Sequence, residues 1–249
     1  MAVPGWLTRS LADVPAGGDW LSARERAALA GLRAEKRRAD WRLGRWAAKA
    51  ALAAWSGASI AEVEIVASDD GAPEAFVDGE RAGATLSLSH RDGRALAVVA
   101  DVGVAIGCDL EAIEPRSGAF VRTWLAPAER AGVLAAGRAG SARLANLLWT
   151  AKEAAAKARG EGLRLDVRRA IVSLEWDTSS HGEWRPLGVR WDREGLTAHG
   201  WWREEPSWIF AVVSEWPTPA PVRLTGPGQP PVRGGAPQSH RPQAGRSRR

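Results

Sequence analysis

The sequence is poor in cysteine and lysine, lacks tyrosine, and has no long apolar run. Its 249 residues include a single cysteine, Cys108. One cysteine excludes an internal disulfide framework and a metal site built from several cysteines. No segment approaches the roughly 18 consecutive apolar residues of a membrane span, and the N-terminus lacks the residue order of a signal peptide. We therefore expect a cytoplasmic protein that does not enter a membrane.

Basic charge is concentrated at the C-terminal end. The formal net charge is +5, but residues 217–249 contain six arginines and no acidic residue, which leaves −1 for residues 1–216. A nearly neutral body does not support nucleic-acid binding. Proline, glycine, arginine, glutamine and serine dominate residues 217–249, and such a composition cannot bury a core. We predict that this segment is a disordered tail.

Hydrophobic periodicity divides the rest of the chain into helical and extended segments, after a loop-like stretch at 1–21. The patterns predict helices at about 23–32, 34–55, 127–136 and 141–159. Strands are predicted at 63–66, 75–77, 85–89, 95–100, 102–111, 171–176, 187–191, 197–202 and 208–213. This mixture predicts an α+β fold.

The sequence also contains a weak internal repeat. Residues 45–50 resemble 148–153, and residues 96–101 resemble 210–215, at offsets of 103 and 114 residues. We therefore predict two similar α/β halves, each with a helix packed on a small antiparallel sheet. The predicted boundaries are 1–105 for the first half and 106–216 for the second.

The two copies differ in charge. Glu153 and Lys157 stand where the first copy has Ala50 and Ala54. A duplicated scaffold with these charges in one copy predicts a single site, located where the halves meet. Trp149, Glu153 and Lys157 are spaced four residues apart, so they share one helix face. Considered alone, such a face is most often merely solvated.

Two further carboxylates follow an apolar strand. Asp109 and Glu111 are two residues apart, so both point to the same face of the strand. If Glu153 approaches them, three carboxylates without a histidine or cysteine cluster favour Mg²⁺ or Mn²⁺. The alternative is a pair of exposed acids that form salt bridges to Arg116 or Arg122.

Four stretches of the sequence, in this order, resemble the Sfp-type 4′-phosphopantetheinyl transferases. They are Lys36–Lys49, Ser87–His90, Gly107–Glu111 and Trp149–Lys157. The resemblance implies two similar halves related by a pseudo-twofold axis. It also implies transfer of phosphopantetheine from coenzyme A to a serine of a carrier protein, with release of adenosine 3′,5′-bisphosphate.

The resemblance further implies roles for individual residues. Asp109, Glu111 and Glu153 would bind Mg²⁺, with Mn²⁺ as a substitute, on the coenzyme A pyrophosphate. Glu153 would be the general base for the carrier serine, Lys157 would hold the phosphate under attack, and Lys152 would assist. Asp109, Lys152 and Lys157 would thus also contact coenzyme A. The other implied coenzyme A contacts are Arg37, Arg45, Gly71, Pro73, Ser89 and His90, with Ser89 and His90 near the 3′-phosphate.

Two other functions remain open at this point. One is a Mg²⁺-dependent phosphohydrolase that acts on a nucleotide-type diphosphate with the same three acids. The other is a non-enzymatic binding protein with a basic tail. For the transferase, the expected partners are coenzyme A and an acidic acyl or peptidyl carrier protein, without nucleic acid or membrane. We expect a monomer.

Overall fold

The structure is a computed structural model that describes residues 3–69, 71–160, 166–174, 182–191 and 195–225. Within these residues the helices are α1 (Ala23–Ala30), α2 (Glu35–Ser56), α3 (Gly118–Trp124), α4 (Pro127–Ala135) and α5 (Gly137–Ala158). The strands of the first part are β1 (Gly5–Ser10), β2 (Val63–Ala67), β3 (Pro73–Val77), β4 (Glu80–Arg81), β5 (Ala84–Arg91) and β6 (Arg94–Asp101). The later strands are β7 (Ile106–Ala112), β8 (Ala170–Leu174), β9 (Arg185–Trp191), β10 (Leu196–Glu205), β11 (Trp208–Ser214) and β12 (Val222–Arg223).

The predicted α+β fold is confirmed, and two details of the prediction are corrected. The stretch predicted as an N-terminal loop contains β1, which pairs with β6 along its whole length. The strand predicted at 102–111 begins at Ile106, because Val104 N–H donates to the carbonyl of Asp101 and Gly103 adopts a left-handed φ of 86°. The last two residues of the strand predicted at 171–176 lie outside the described residues.

The first half places α2 against two sheets. One sheet has the order β12-β1-β6-β5, and β2, β3 and β4 form a separate antiparallel sheet. Alanines cover the inner face of α2, so the helix approaches the sheet closely. Its core contains Leu7, Leu43, Leu52, Val99 and Ile65.

The second half places α5 against an antiparallel sheet of order β7-β11-β10-β9-β8. Helix α5 and strand β7 are in close contact at Gly107. A Cβ atom at this position would lie 2.0 Å from the carbonyl oxygen of Ala154 and 2.4 Å from the backbone nitrogen of Ala158. Only glycine therefore permits this packing, which fixes the distance between α5 and the acidic residues of β7.

The two halves meet through a core of their own. Trp6 of β1 lies 6.3 Å from Phe210 of β11, measured between ring centroids. Cys108 and Leu110 of β7 belong to the same buried cluster. Because side chains alternate along a strand, Asp109 and Glu111 point to the opposite face, toward α5.

Each half also contains a buried lysine–glutamate pair. In the first half, Lys49 Nζ of α2 lies 2.9 Å from a carboxylate oxygen of Glu25 in α1. In the second half, Lys152 Nζ of α5 lies 2.6 Å from Glu129 in α4. Each glutamate also accepts a backbone N–H from a strand of its own half, at 3.0 Å. The repeat seen in the sequence therefore extends to buried polar contacts.

The prediction that disorder begins at residue 217 is corrected for its first nine residues. Val222 and Arg223 form β12, which pairs in parallel with Gly5 and Trp6. Leu224 is 5% exposed and belongs to the first core. Val222, through its pairing with Gly5, and Leu224, through its burial in the core, attach this short segment to the first half. Residues 226–249 lie outside the described residues.

Among the described helices, none combines the length and apolar character that a membrane span requires.

Candidate active site

A pocket of about 360 Å³ opens beside α2, β2, β3 and β5, and α5 of the second half closes one side of it. Six of the residues predicted to contact coenzyme A line this pocket: Arg45, Gly71, Pro73, Ser89, His90 and Lys157. The remaining lining residues are Val66, Ala67 and Leu88. Lys157 of α5 is the second half's contribution, so residues of both halves line the pocket.

Asp109 lies behind two of the lining residues, Ser89 and Lys157. Its Oδ1 atom accepts hydrogen bonds from Ser89 Oγ at 2.6 Å and from Lys157 Nζ at 2.8 Å. Its side chain is almost completely buried, and its Oδ2 atom has no hydrogen-bond partner among the described residues. An unpaired buried carboxylate oxygen is costly, so it marks a position where a ligand or cation is expected.

Lys157 is tied to this strand at two points. Besides its bond to Asp109, the ammonium donates to the carbonyl oxygen of Cys108 at 3.1 Å. Burial alone would lower the pKa of Lys157, but the negative charge of Asp109 raises it above its ordinary value. Lys157 is therefore a permanent cation on the wall of the pocket.

Glu153 lies one helical turn before Lys157 and is partly buried. Its carboxylate makes no hydrogen bond or ion pair with the described part of the chain. Burial raises the pKa of Glu153, and the charges of Asp109 and Glu111 raise it further, against the opposing effect of Lys157. A carboxylate with a raised pKa is a stronger proton acceptor, and this one is free to act.

Glu111 is in a different situation from the other two acids. Its Oε2 atom accepts from Arg116 Nη2 at 2.8 Å and lies 3.3 Å from Arg91 Nη1. Its Oε1 atom accepts from Trp149 Nε1 at 3.1 Å. Burial and Asp109 raise the pKa of Glu111, while Arg116 and Arg91 oppose that rise. For this residue, the predicted alternative of a salt bridge to Arg116 is observed.

The three acids predicted to hold a metal ion lie close enough together for the charges of Asp109 and Glu111 to raise the pKa of Glu153. Within the described residues, no group of three histidine, cysteine, aspartate or glutamate side chains is arranged to hold a metal ion. Two of the acids do suit a divalent cation, because Asp109 has an unpaired buried oxygen and Glu153 has an uncommitted carboxylate. Carboxylate oxygens are the ligands that Mg²⁺ prefers.

Arg45 provides a second cationic group in the pocket. Its Nη1 donates to the carbonyl of Ile65 at 2.5 Å, and its guanidinium carbon lies 4.6 Å from the ring centroid of Trp41. Its Nε atom is buried without a hydrogen-bond partner among the described residues. Burial lowers the pKa of Arg45, but the group stays charged. An unpaired N–H on a buried cation suits an anionic ligand.

His90 lies at the rim of this pocket. Partial burial lowers the pKa of His90, and the nearby ammonium groups of Lys157 and Lys36 lower it further, whereas Asp40 raises it. The lowered pKa favours the neutral imidazole in the ligand-free protein. A bound phosphate would favour its protonated form, because an adjacent negative charge stabilises the cation.

Three of the nine predicted coenzyme A contacts do not line the pocket: Lys152, Arg37, and Asp109, which bonds to two lining residues. Lys152 is fully buried, pairs with Glu129, and donates to the carbonyl of Trp124 at 3.1 Å. It precedes Glu153 by one residue, so it points about 100° away around the helix. Arg37 is exposed on the first turn of α2 and does not line the pocket.

Sequence reasoning also missed supporting residues. Arg91 was not singled out, although it follows directly after the Ser-Leu-Ser-His stretch. Trp41 lies four residues before Arg45, a spacing that places the two side chains on one helix face. Gly107, directly before Cys108-Asp109, was noted only as part of a motif. A glycine in a buried strand often marks close approach of another backbone.

Comparison with protein families identifies the class of protein. The model of the 4′-phosphopantetheinyl transferase superfamily matches residues 105–212, and the model of the 4′-phosphopantetheinyl transferase N-terminal domain matches residues 25–100. The chain belongs to the 4′-phosphopantetheinyl transferase superfamily. Within that superfamily it is a phosphopantetheinyl transferase. Comparison with curated proteins gave no significant match.

Solved structures give partial matches. The chain is 22% identical to a holo-(acyl-carrier-protein) synthase from Bacillus anthracis in complex with CoA (3′,5′-ADP), with a TM-score of 0.34, covering 41% of this chain and 97% of that chain. It is 25% identical to the holo-[acyl-carrier-protein] synthase of Thermotoga maritima, with a TM-score of 0.33, covering 49% of this chain and 74% of that chain.

Proposed function

We propose that the protein transfers 4′-phosphopantetheine from coenzyme A to a serine of an apo acyl or peptidyl carrier protein, and releases adenosine 3′,5′-bisphosphate. The main support is the pocket at the junction of the halves. It is lined by the cations Arg45 and Lys157, and Lys157 bonds to an acid, Asp109, that has an unpaired oxygen. A pocket with cations for phosphates and acids for a cation suits a substrate that contains a pyrophosphate.

The pocket suggests how coenzyme A is bound. Arg45, with its unpaired buried N–H, would receive one phosphate group. Ser89 and His90 stand together at the pocket wall and would contact the 3′-phosphate. Lys157 lies toward the acids and would contact the pyrophosphate. The backbone at Gly71–Pro73 would line the nucleotide.

The proposed enzyme requires Mg²⁺. Asp109 and Glu153 are the side chains with oxygen atoms available for it. When bound, the ion would neutralise charge on the pyrophosphate oxygens and on the leaving group. Lys157 adds a fixed positive charge on the same side of the pocket, already oriented by Asp109 and the Cys108 carbonyl.

Glu153 is the proposed general base. The carrier serine Oγ forms a bond to the phosphorus of the phosphopantetheine group, and the bond from that phosphorus to the oxygen of adenosine 3′,5′-bisphosphate breaks. The serine proton passes to Glu153 and then to solvent. Its carboxylate is suited to this role because it makes no hydrogen bond or ion pair with the described part of the chain and lies one helical turn before Lys157.

The test is the intact mass of purified apo-carrier proteins after incubation with the enzyme, coenzyme A and Mg²⁺. A mass gain of one phosphopantetheine group per carrier supports the proposal, and addition of a metal chelator should abolish the gain. Hydrolysis of coenzyme A without any carrier would instead indicate the phosphohydrolase. If no carrier gains mass and coenzyme A stays intact, the proposed function is wrong.

The carrier is proposed to be acidic, because the C-terminal residues 217–249 carry six arginines. Opposite charges accelerate the encounter of two proteins and are screened by salt. Transfer to an acidic carrier should therefore slow as the salt concentration rises, while coenzyme A binding, measured separately, accounts for any salt effect at the pocket.

A further inference from the structure

We infer that Ser87, which does not line the pocket, is a positioning residue for Lys157. Its hydroxyl is bonded to the edge of β7 that also binds the Lys157 ammonium. The inference rests on the proposed function, in which Lys157 contacts the pyrophosphate of coenzyme A. It adds a residue of the first half to the part of the pocket that the second half supplies.

Strand β7 lies at the end of its sheet. One edge pairs with β11 from Ile106 to Ala112, and within the described residues no strand pairs with the other edge. The N–H and C=O groups of one residue in an antiparallel strand point to the same edge. A buried residue that faces the open edge therefore needs side-chain partners for both groups.

Cys108 is such a residue, because it is fully buried. Its N–H donates to Ser87 Oγ at 2.9 Å, and its carbonyl oxygen accepts from Lys157 Nζ at 3.1 Å. Ser87 and Lys157 come from different halves, yet they bond to the main chain of the same residue. A shift of Cys108 relative to Ser87 would therefore move the oxygen to which Lys157 is bonded.

The next residue of β7 shows the same arrangement. Ser89 Oγ donates to Asp109 Oδ1 at 2.6 Å, and Lys157 Nζ donates to the same oxygen at 2.8 Å. Ser87 and Ser89 are two residues apart on β5, so their side chains point to one face of that strand. Ser89 lines the pocket, whereas Ser87 is 5% exposed and does not. Ser87 can thus influence a ligand only through β7.

The ammonium of Lys157 needs such support more than the rest of its side chain. A Cβ atom at Gly107 would lie 2.9 Å from the Cβ atom of Lys157, so the first carbon of the side chain packs directly against β7. The ammonium lies at the end of a flexible four-carbon stem. Its two hydrogen bonds to β7 fix that end, and they leave one of its three N–H donors for a phosphate.

The first experiment measures coenzyme A binding by calorimetry. Ser87→Ala should weaken binding by about fivefold, the scale of one lost hydrogen bond. Ser87→Thr keeps the hydroxyl and should bind like wild type. Thr85→Ala is the matched control, because Thr85 also lies on β5 but its hydroxyl bonds to the carbonyl of Asp101 in the first half. Wild-type affinity in Ser87→Ala would overturn the inference.

The second experiment separates positioning from a structural role. If Ser87 acts through Lys157, adding Ser87→Ala to Lys157→Met should weaken coenzyme A binding no further, because the group that Ser87 positions is already absent. A general loss of structure would weaken binding by the same factor in both backgrounds. Additive losses would therefore contradict the inference.

The third experiment needs no coenzyme A, no metal and no activity. The chain has only four lysines, at positions 36, 49, 152 and 157. In protein with isotope-labelled lysine, the side-chain signals of Lys157 are identified by their loss in Lys157→Met. Ser87→Ala should shift these signals and leave those of the other three lysines in place. Unchanged Lys157 signals in folded Ser87→Ala protein would show that Ser87 does not position the ammonium.

Circular dichroism confirms that each variant is folded. If Ser87→Ala does not fold, Ser87→Cys takes its place with the same expectations, since a thiol has nearly the shape of the hydroxyl but is a weak hydrogen-bonding group. If wild type binds no coenzyme A, the proposed function fails. If wild type binds it and the variant without the hydroxyl binds it equally well, only the inference about Ser87 fails.

Discussion

In both halves of the molecule a 22-residue helix packs on an antiparallel sheet and buries one lysine against a glutamate. The halves diverge on the strand beneath that helix. Leu7 of β1 pairs with Ala97 of β6, and Asp109 of β7 pairs with Ala211 of β11. Ala97 and Ala211 are equivalent positions of the repeat, so an apolar core residue in one half corresponds to the acid of the site in the other.

The difference separates scaffold from chemistry. The lysine–glutamate pair occurs in both halves, including the one without the acids, so its purpose is to hold the fold. Glu153, Lys157 and Asp109 have only apolar equivalents, Ala50, Ala54 and Leu7, in the first half. Their charges are therefore not required by the scaffold, which supports the proposal that they serve ligand binding and catalysis.

The largest expected effect is the loss of stability when the buried lysine–glutamate pair of either half is broken. Lys49→Met and Lys152→Met should each lower the free energy of unfolding by about 3–5 kcal/mol, because each leaves a buried carboxylate without its partner. Urea unfolding measures this loss, and Lys36→Met, which removes an exposed lysine, is the control. A large loss in one half and none in the other would show that the pairs are not equivalent.

Glu153→Gln should reduce the rate of phosphopantetheine transfer by roughly 10²-fold or more, the scale of lost general-base catalysis. Glutamine keeps the size and helix propensity of the side chain, so circular dichroism should show an intact fold. Glu62→Gln is the control, since Glu62 is exposed and its carboxylate bonds to the nearby Ser59, away from the site. A wild-type rate in folded Glu153→Gln protein would refute the assignment of Glu153.

The C-terminal segment distinguishes the halves in another way, because β12 belongs to the sheet of the first half. A chain that ends after Trp216 should lose about 2 kcal/mol or more of unfolding free energy, since it loses β12 and the buried Leu224. A chain that ends after Thr225 should be as stable as the full chain. Equal stability of both truncated chains in thermal unfolding would show that β12 contributes nothing.

The smallest expected effect is a dependence on pH. The pKa of Glu153 is raised in the folded protein, chiefly by burial, so its ionisation opposes folding. That penalty is absent below the ordinary pKa of glutamate and grows as the pH rises through the raised value. In metal-free buffer, Glu153→Gln and wild type should thus have the same melting temperature near pH 4. Near pH 8 the melting temperature of Glu153→Gln should be on the order of 2 °C higher than that of wild type. Parallel melting curves at all pH values would contradict this.

Much of this organisation could be predicted from the sequence. The repeat, the two long helices, the common face of Asp109 and Glu111, and most of the pocket residues followed from spacing and resemblance. The direction of Lys152 did not follow, because spacing fixes angles between side chains on a helix but not which face meets the sheet. The bonds of Glu111 to Arg91 and Trp149 did not follow either, because these three residues lie on three separate elements, β7, β5 and α5. The two-residue strand β12 is too short to give a periodic signal.

Two lysines of α5, Lys152 and Lys157, have different proposed roles, one in the fold and one in the pocket. Calorimetry of coenzyme A binding to wild type, Lys152→Met and Lys157→Met, under conditions where all three are folded, compares them directly. Lys157→Met should bind at least about tenfold more weakly, since a hydrogen bond to a charged group contributes about 1.5–3 kcal/mol, while Lys152→Met should bind like wild type. Weaker binding by Lys152→Met with normal binding by Lys157→Met would contradict the account.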